Sequence, residues 1–137
     1  MGLILDTSIL IAYERRGETI QDILRQTRTT HGESDVGLSA ISAIELTHGI
    51  YRAKEVGRRE RRRTFIQDAL AGLVVHPVSL PIAELAGRIE GEQAAIGISI
   101  AIADLIIGAT ALHLGFDVVT LNEKHFRLIP GLKTLTL

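Results

Sequence analysis

Residues 3–17, LILDTSILIAYERRG, decide the fold class because they join a short apolar run directly to a helical pattern. Leu3, Ile4 and Leu5 are typical of a strand buried on both faces, and Thr7 and Ser8 open a predicted helix over residues 7–16. Asp6 stands between the two segments, where an ionised carboxylate at the edge of a core is costly unless something compensates it. Two explanations follow, a helix cap or a cation ligand.

The rest of the chain repeats this alternation of short apolar runs and longer helical patterns. Helices are predicted over residues 7–16, 19–28, 42–53, 58–71, 79–95 and 103–114, and strands over 2–6, 36–39, 73–79, 117–121 and 132–137, the last at a sheet edge. This order predicts an α/β fold with three layers, in which helices flank a mostly parallel central sheet. Ligands of such sheets bind outside the carboxyl ends of the strands, where Asp6, Asn122 and Glu123 are expected.

Composition narrows the class of protein further. A chain of 137 residues with 46% apolar content and a net charge of -1 is expected to form one domain over residues 1–137. The absence of cysteine excludes disulfides and thiolate metal sites, and a cytoplasmic location is expected. Residues 94–112 approach a membrane-spanning length, but Asp104 at their centre indicates a buried helix, so no membrane association is expected.

Acidic residues at the borders of apolar segments are the main functional signal. Glu45 fits a capping box with Ser42, yet it also lies four residues after Ile41 on an apolar helix side. Asp104 is the only charged residue between Glu92 and Asp117, and neither a first-turn nor a mid-helix position explains it. Glu123 follows a strand, where a surface acid is ordinary.

Taken together, these acids favour a metal site. Converging carboxylates raise each other's pKa values, and the sequence offers no buried base to pair with Asp6, Glu45 and Asp104. A hard divalent cation such as Mg²⁺ or Mn²⁺ takes oxygen ligands of this kind. It can also activate a water molecule during displacement at phosphorus.

A basic segment adds a candidate surface for a polyanion. The ten residues 54–63, KEVGRRERRR, contain six of the fifteen lysines and arginines. Such a cluster suits phosphate contacts that do not depend on base sequence. A solvated helix face with Glu55 and Glu60 interleaved is the alternative. The predicted RNA contacts are Lys54, Arg58, Arg59, Arg61 and Arg62.

In their order and spacing, four segments resemble the PIN-domain ribonucleases, and in particular the VapC toxins of toxin–antitoxin pairs. The segments are LDTSILI, SAISAIELTHGI, IADLIIGATAL and VVTLNEKHFRLIPGL, and together they span nearly the whole chain. The resemblance implies cleavage of single-stranded or loop RNA, a cognate VapB-like antitoxin whose tail blocks the site, and a homodimer.

The family's acidic site maps onto Asp6, Glu45 and Asp104. The resemblance implies that Asp6 and Asp104 bind Mg²⁺, with Mn²⁺ as a substitute, and that Glu45 binds through water or shapes the surroundings. Thr7 or Ser8 would hydrogen-bond the site. Near the end of the chain, Asn122 matches a common asparagine, Glu123 is the nearest acid and is predicted as the fourth member, and His125 stands where some relatives have another acid.

Two other classes of protein share part of the pattern. A haloacid-dehalogenase-type phosphatase also begins with Asp after a first strand, but it needs a second Asp two positions later, and Ser8 occupies that place. A non-catalytic PIN-like regulator that binds nucleic acid through residues 54–63 is the other alternative. Such a binding module has no use for Asp104 in its apolar setting.

Overall fold

The computed structural model describes residues 1–137 and contains one five-stranded parallel sheet. The strands are β1 (Gly2–Leu5), β2 (Asp35–Ser39), β3 (Val74–His76), β4 (Asp117–Val119) and β5 (Thr134–Leu135), in the order β3-β2-β1-β4-β5. All four neighbouring pairs are parallel. β1 is central and buried along its whole length, which explains its unbroken apolar run.

Seven helices connect and cover the strands. They are α1 (Thr7–Arg15), α2 (Ile20–His31), α3 (Ala40–Arg52), α4 (Val56–Gly72), α5 (Leu80–Ala94), α6 (Ile102–Leu114) and the short α7 (Glu123–Phe126). Leu3 and Leu5 pack into a core with α1 to α4, whereas Ile4 packs into a second core with α5, α6 and α7. Side chains of a strand alternate between faces, so helices lie on both sides of the sheet. The predicted three-layer α/β fold is confirmed.

The structure corrects several predicted boundaries. α3 begins at Ala40 rather than residue 42, and its N-cap is Ser39, whose hydroxyl accepts the Ile41 N–H at 3.3 Å. Ser42 therefore lies inside the helix, and the capping box with Glu45 is wrong. α2 continues to His31 rather than ending at residue 28, and β3 covers only Val74–His76 of the strand predicted over 73–79. The sequence reasoning did not predict α7.

Most of the apolar stretch 94–112 lies in the buried helix α6, and residues 95–101 connect it to α5, close to the predicted boundaries of 79–95 and 103–114. α5 ends at Ala94 and α6 begins at Ile102, and α6 closes at Gly115, which adopts φ +70°. None of the helices combines the length and apolar character that a membrane crossing requires. Asp104 lies in the first turn of α6, next to the carboxyl edge of the sheet.

Candidate active site

Asp6 is the centre of the site, and only 4% of its surface is exposed. Its backbone N–H donates to the Val119 carbonyl at 2.9 Å, which extends the β1–β4 pairing by one residue. Asp6 occupies the N-cap position of α1, but its side chain makes no capping hydrogen bond. Its Oδ2 instead accepts from the hydroxyls of Ser8 and Thr120, each at 2.7 Å. The side chain is thus held by hydroxyls rather than used as a helix cap.

Thr120 is a site residue that the sequence reasoning missed. It is fully buried, and its hydroxyl donates to Asp6 while accepting the Asn122 N–H at 2.8 Å. The Ser8 hydroxyl also accepts the Leu121 N–H at 3.2 Å. These hydrogen bonds therefore connect the loop after β4 to the start of α1. Asn122 contributes its backbone N–H rather than its side-chain amide. Thr120 is the penultimate residue of the strand predicted over 117–121, and this position near the carboxyl end was the available signal.

Glu45 reaches the same edge of the sheet from α3. Its Oε1 lies 2.6 Å from the Thr7 hydroxyl, which also lies 2.9 Å from the hydroxyl of buried Ser42. A hydroxyl carries one proton, so Thr7 donates to the carboxylate and accepts from Ser42. The Glu45 residue is exposed as a whole, but partial burial of its carboxyl group raises the pKa. The hydrogen bond from Thr7 lowers that pKa, whereas the charges of Asp6 and Asp104 raise it.

Asp104 joins them from the first turn of α6, with a side chain that is 20% exposed. Burial is the largest cause that raises its pKa, and the negative charge of Asp6 is the second. His125 acts in the opposite direction, since its Nδ1 lies 3.4 Å from Asp104 Oδ2. Asp6 is therefore an electrostatic neighbour of both Glu45 and Asp104, and its charge raises the pKa of each.

No lysine or arginine forms an ion pair with any of these three carboxylates. No three acidic or histidine side chains are already arranged around one point as a metal-binding group. The chemistry of the donors nevertheless fits a hard cation, because Mg²⁺ is commonly bound by one or two carboxylates and several waters. The arrangement can thus accept a divalent cation between side chains that otherwise repel one another.

α7 presents His125, rather than Glu123, to Asp104. Glu123 Oε2 lies 3.7 Å from an Arg127 guanidinium nitrogen, and its Oε1 accepts from the Thr134 hydroxyl at 3.4 Å. The structure therefore brings Asp6, Glu45 and Asp104 together with Thr7 and Ser8, and it does not bring Glu123 to them. The role of Glu123 as fourth acid stays a prediction without a supporting contact.

Some side chains of the basic segment, residues 54–63, bind other parts of the chain, and others are free. Arg59 donates to the Ala53 carbonyl at 2.9 Å, and Arg62 donates to the Gly49 carbonyl at 2.7 Å and lies 3.6 Å from Glu14. Lys54, Arg58 and Arg61 are exposed. These three side chains are therefore the members of the predicted set that are free to meet a ligand.

A cavity of about 260 Å³ opens beside Glu45, between α1, α3 and α4. Arg15 and Arg52 line it, and both are exposed. The sequence reasoning named neither residue. Arg52 lies seven residues after Glu45, which is two helical turns along the same face of α3, and that spacing was the available signal.

Comparison with known proteins agrees with this geometry. The PIN domain family matches residues 3–132. A protein named Ribonuclease VapC from Rickettsia bellii is 34% identical over 136 residues, which cover 99% of this chain and 96% of that protein. The chain therefore belongs to the PIN-domain family and, within it, to the VapC group, as its sequence motifs indicated.

Solved structures share the fold over the whole chain. The crystal structure of VapBC2 from Rickettsia felis, bound to a DNA fragment from their promoter, matches with a TM-score of 0.84 at 22% identity, covering 100% of this chain and 99% of that one. DNA-bound VapBC from Salmonella typhimurium matches with a TM-score of 0.83 at 24% identity, covering 99% and 98%. At these identities the likeness concerns the fold.

Proposed function

We propose that the chain is a metal-dependent endoribonuclease, the toxin of a type II toxin–antitoxin pair, which hydrolyses RNA phosphodiester bonds. The observation that carries the proposal is the group formed by Asp6, Glu45 and Asp104, neighbouring carboxylates that no lysine or arginine neutralises. The 34% identical relative is named a ribonuclease, which supports RNA as the substrate class.

Asp6 and Asp104 would hold Mg²⁺, or Mn²⁺ in its place, and Glu45 would bind it through water. Such a cation, when bound, lowers the pKa of a coordinated water and stabilises charge on phosphate oxygens. The chain's own hydroxyls orient the donors: Ser8 and Thr120 hold Asp6, and Thr7 holds Glu45. Fixed donor orientation matters because loss of a hydrogen-bond partner of a metal ligand typically lowers metal affinity or activity about 10–100-fold.

The exposed basic side chains would supply the electrostatic attraction for RNA. Lys54, Arg58 and Arg61 belong to this group. Phosphate contacts of this kind are salt-dependent and indifferent to base sequence, so target choice would rest on RNA shape and unpaired loops.

A VapB-like antitoxin is the proposed partner of the chain. The support is that solved structures with the same fold are named VapBC complexes. Co-expression with the cognate antitoxin should give a complex that cleaves RNA more slowly than the free chain. Equal rates for the free chain and the complex would contradict inhibition by that partner.

Cleavage of total RNA by the purified chain tests the enzymatic part. We expect cleavage with Mg²⁺ or Mn²⁺, none in EDTA, and none by the Asp6→Asn or Asp104→Asn variant. The matched control is Asp35→Asn, which removes an exposed carboxylate at the amino end of β2 and should leave cleavage unchanged. Full activity of the Asp6 and Asp104 variants would refute the acidic-site mechanism, and RNA that is bound but never cut would support a non-catalytic regulator instead.

A further inference from the structure

The cavity beside Glu45 contains two arginines that the protein itself does not use. Arg15 ends α1 and Arg52 ends α3, and neither forms an ion pair or a side-chain hydrogen bond. Of the other charges of the cavity wall, Arg62 faces Glu14 at 3.6 Å and donates to the Gly49 carbonyl, and Glu45 belongs to the acidic site at one end. The excess charge in this part of the cavity is therefore positive.

The position of the cavity relates it to the acidic site. Glu45 lines one end, and Arg52 lies seven residues further along α3. At 1.5 Å per residue this is about 10 Å, so Arg52 stands beyond the carboxylates rather than among them. A ligand that reached from the acidic site to Arg52 would have to extend along the helix.

A second cavity of about 510 Å³ continues the same path along α4. Glu14, Arg15 and Phe65 line both cavities. The second one also contains Arg58 and Arg61, which are exposed and form no ion pair. Its further acids are Glu18 and Glu60, which pair with Arg16 and Arg63 outside the cavity, and Asp68, which has no ion-pair partner. Arg15 therefore stands between the acidic end and the basic segment.

We infer that this groove, lined by Arg15 and Arg52, binds phosphates of single-stranded RNA next to the bond that is cleaved. The inference rests on the proposed function. It adds on which side of the acidic site the RNA strand runs across the protein. A polyanion satisfies both arginines, and the backbone of a single RNA strand is one. Ile11, which is 36% exposed, is the apolar side chain of the cavity wall that a base can contact.

Equilibrium binding in EDTA tests the inference without cleavage. The probe is a short fluorescein-labelled single-stranded RNA, and its affinity is measured by anisotropy over a range of salt concentrations. Each phosphate contact on a single strand contributes about 0.7 to the slope of log affinity against log salt. The Arg15→Gln/Arg52→Gln double variant should therefore lower the slope by about 1.4.

Two further variants serve as controls. Arg25→Gln/Arg88→Gln removes two exposed arginines on α2 and α5, and it should leave the slope unchanged. Arg15→Lys/Arg52→Lys keeps both charges and should retain most of the slope. Unfolding midpoints of all variants check that the fold is intact.

The outcomes separate this inference from the proposed function. An unchanged slope in the Arg15→Gln/Arg52→Gln variant overturns the inference even if the wild type cleaves RNA. A reduced slope supports it even if no cleavage is ever seen. An unchanged slope together with lost binding to the co-expressed antitoxin overturns the inference and assigns the groove to a protein partner.

Discussion

Replacing Thr120 by valine tests whether hydroxyl groups hold the carboxylate at the centre of the site. Valine keeps the shape of the side chain but removes the hydroxyl that donates to Asp6 Oδ2 at 2.7 Å. The same hydroxyl accepts the Asn122 N–H. The Thr120→Val variant therefore leaves Asp6, which is 4% exposed, with Ser8 as its one remaining side-chain donor.

The expected loss of stability follows from the charge of the acceptor. A hydrogen bond to a charged group contributes about 1.5–3 kcal/mol. For a chain of this length, that loss corresponds to a fall in Tm of about 5–10 °C. If the proposed function is right, metal-dependent cleavage should fall about 10–100-fold, because Asp6 loses part of its orientation.

Comparing the urea unfolding of Thr120→Val with that of Thr110→Val isolates the effect of losing the hydrogen bond to Asp6. Thr110 is also fully buried, but its hydroxyl donates to the neutral Ile106 carbonyl at 2.7 Å within α6. Thr110→Val should lose at most about 1 kcal/mol and keep its cleavage rate. Equal stabilities and equal rates in the two variants would refute the idea that Thr120 supports Asp6.

Three further predictions concern the charges and the packing of the site. The pKa of Glu45 and that of Asp104 are raised in the folded protein, so ionisation of these groups opposes folding at neutral pH. In metal-free buffer at pH 7, Glu45→Gln and Asp104→Asn should therefore unfold at a higher urea concentration than the wild type. This difference in urea midpoint should close as the pH falls below the ordinary range of these carboxyl groups. A gap that widens on acidification would contradict this sign. Mg²⁺ should stabilise the folded wild type by mass action, by about 2.7 kcal/mol at a hundred times its Kd, and so raise its Tm. A calorimetric scan of Asp6→Asn should show a much smaller rise in Tm, and equal rises in the two proteins would place the cation elsewhere. Phe126→Ala removes a fully buried ring of α7 and should lower the free energy of unfolding, measured in urea, by about 3–5 kcal/mol. A loss below about 1 kcal/mol would show that this ring does not anchor α7.

The architecture could be predicted because strong local signals agree with it. β1 has an apolar run without alternation, and parallel sheets covered on both faces require such strands. Helix starts such as Thr19, which forms a capping box with Asp22, are encoded by neighbouring residues. Local chemistry and global packing indicate the same elements here.

Boundaries that depend on tertiary contacts could not be predicted. Ser39 and Ser42 are equally good caps in sequence, and the contact of Ser42 with Thr7 decides between them. α7 has four residues, too few to form a helix alone, and it depends on the burial of Phe126.

The candidate site likewise contains residues that the sequence could predict and residues that depend on tertiary contacts. Asp6, Glu45 and Asp104 stood out because each is a charge beside apolar residues. Thr120 did not, because its contact with Asp6 follows from the sheet register, in which Leu5 pairs with Val119. An exposed arginine such as Arg15 carries no signal in sequence until a cavity is found beside it.

The hydrogen bond between Thr120 and Asp6 joins residues that are 114 positions apart. During synthesis Asp6 leaves the ribosome well before Thr120, because more than a hundred residues separate them. The carboxylate cluster therefore cannot be complete on a growing chain, since α6 and β4 are still missing while the amino-terminal half folds. If the proposed function is right, the nascent protein should not cleave RNA at this site before α6 and β4 have been made.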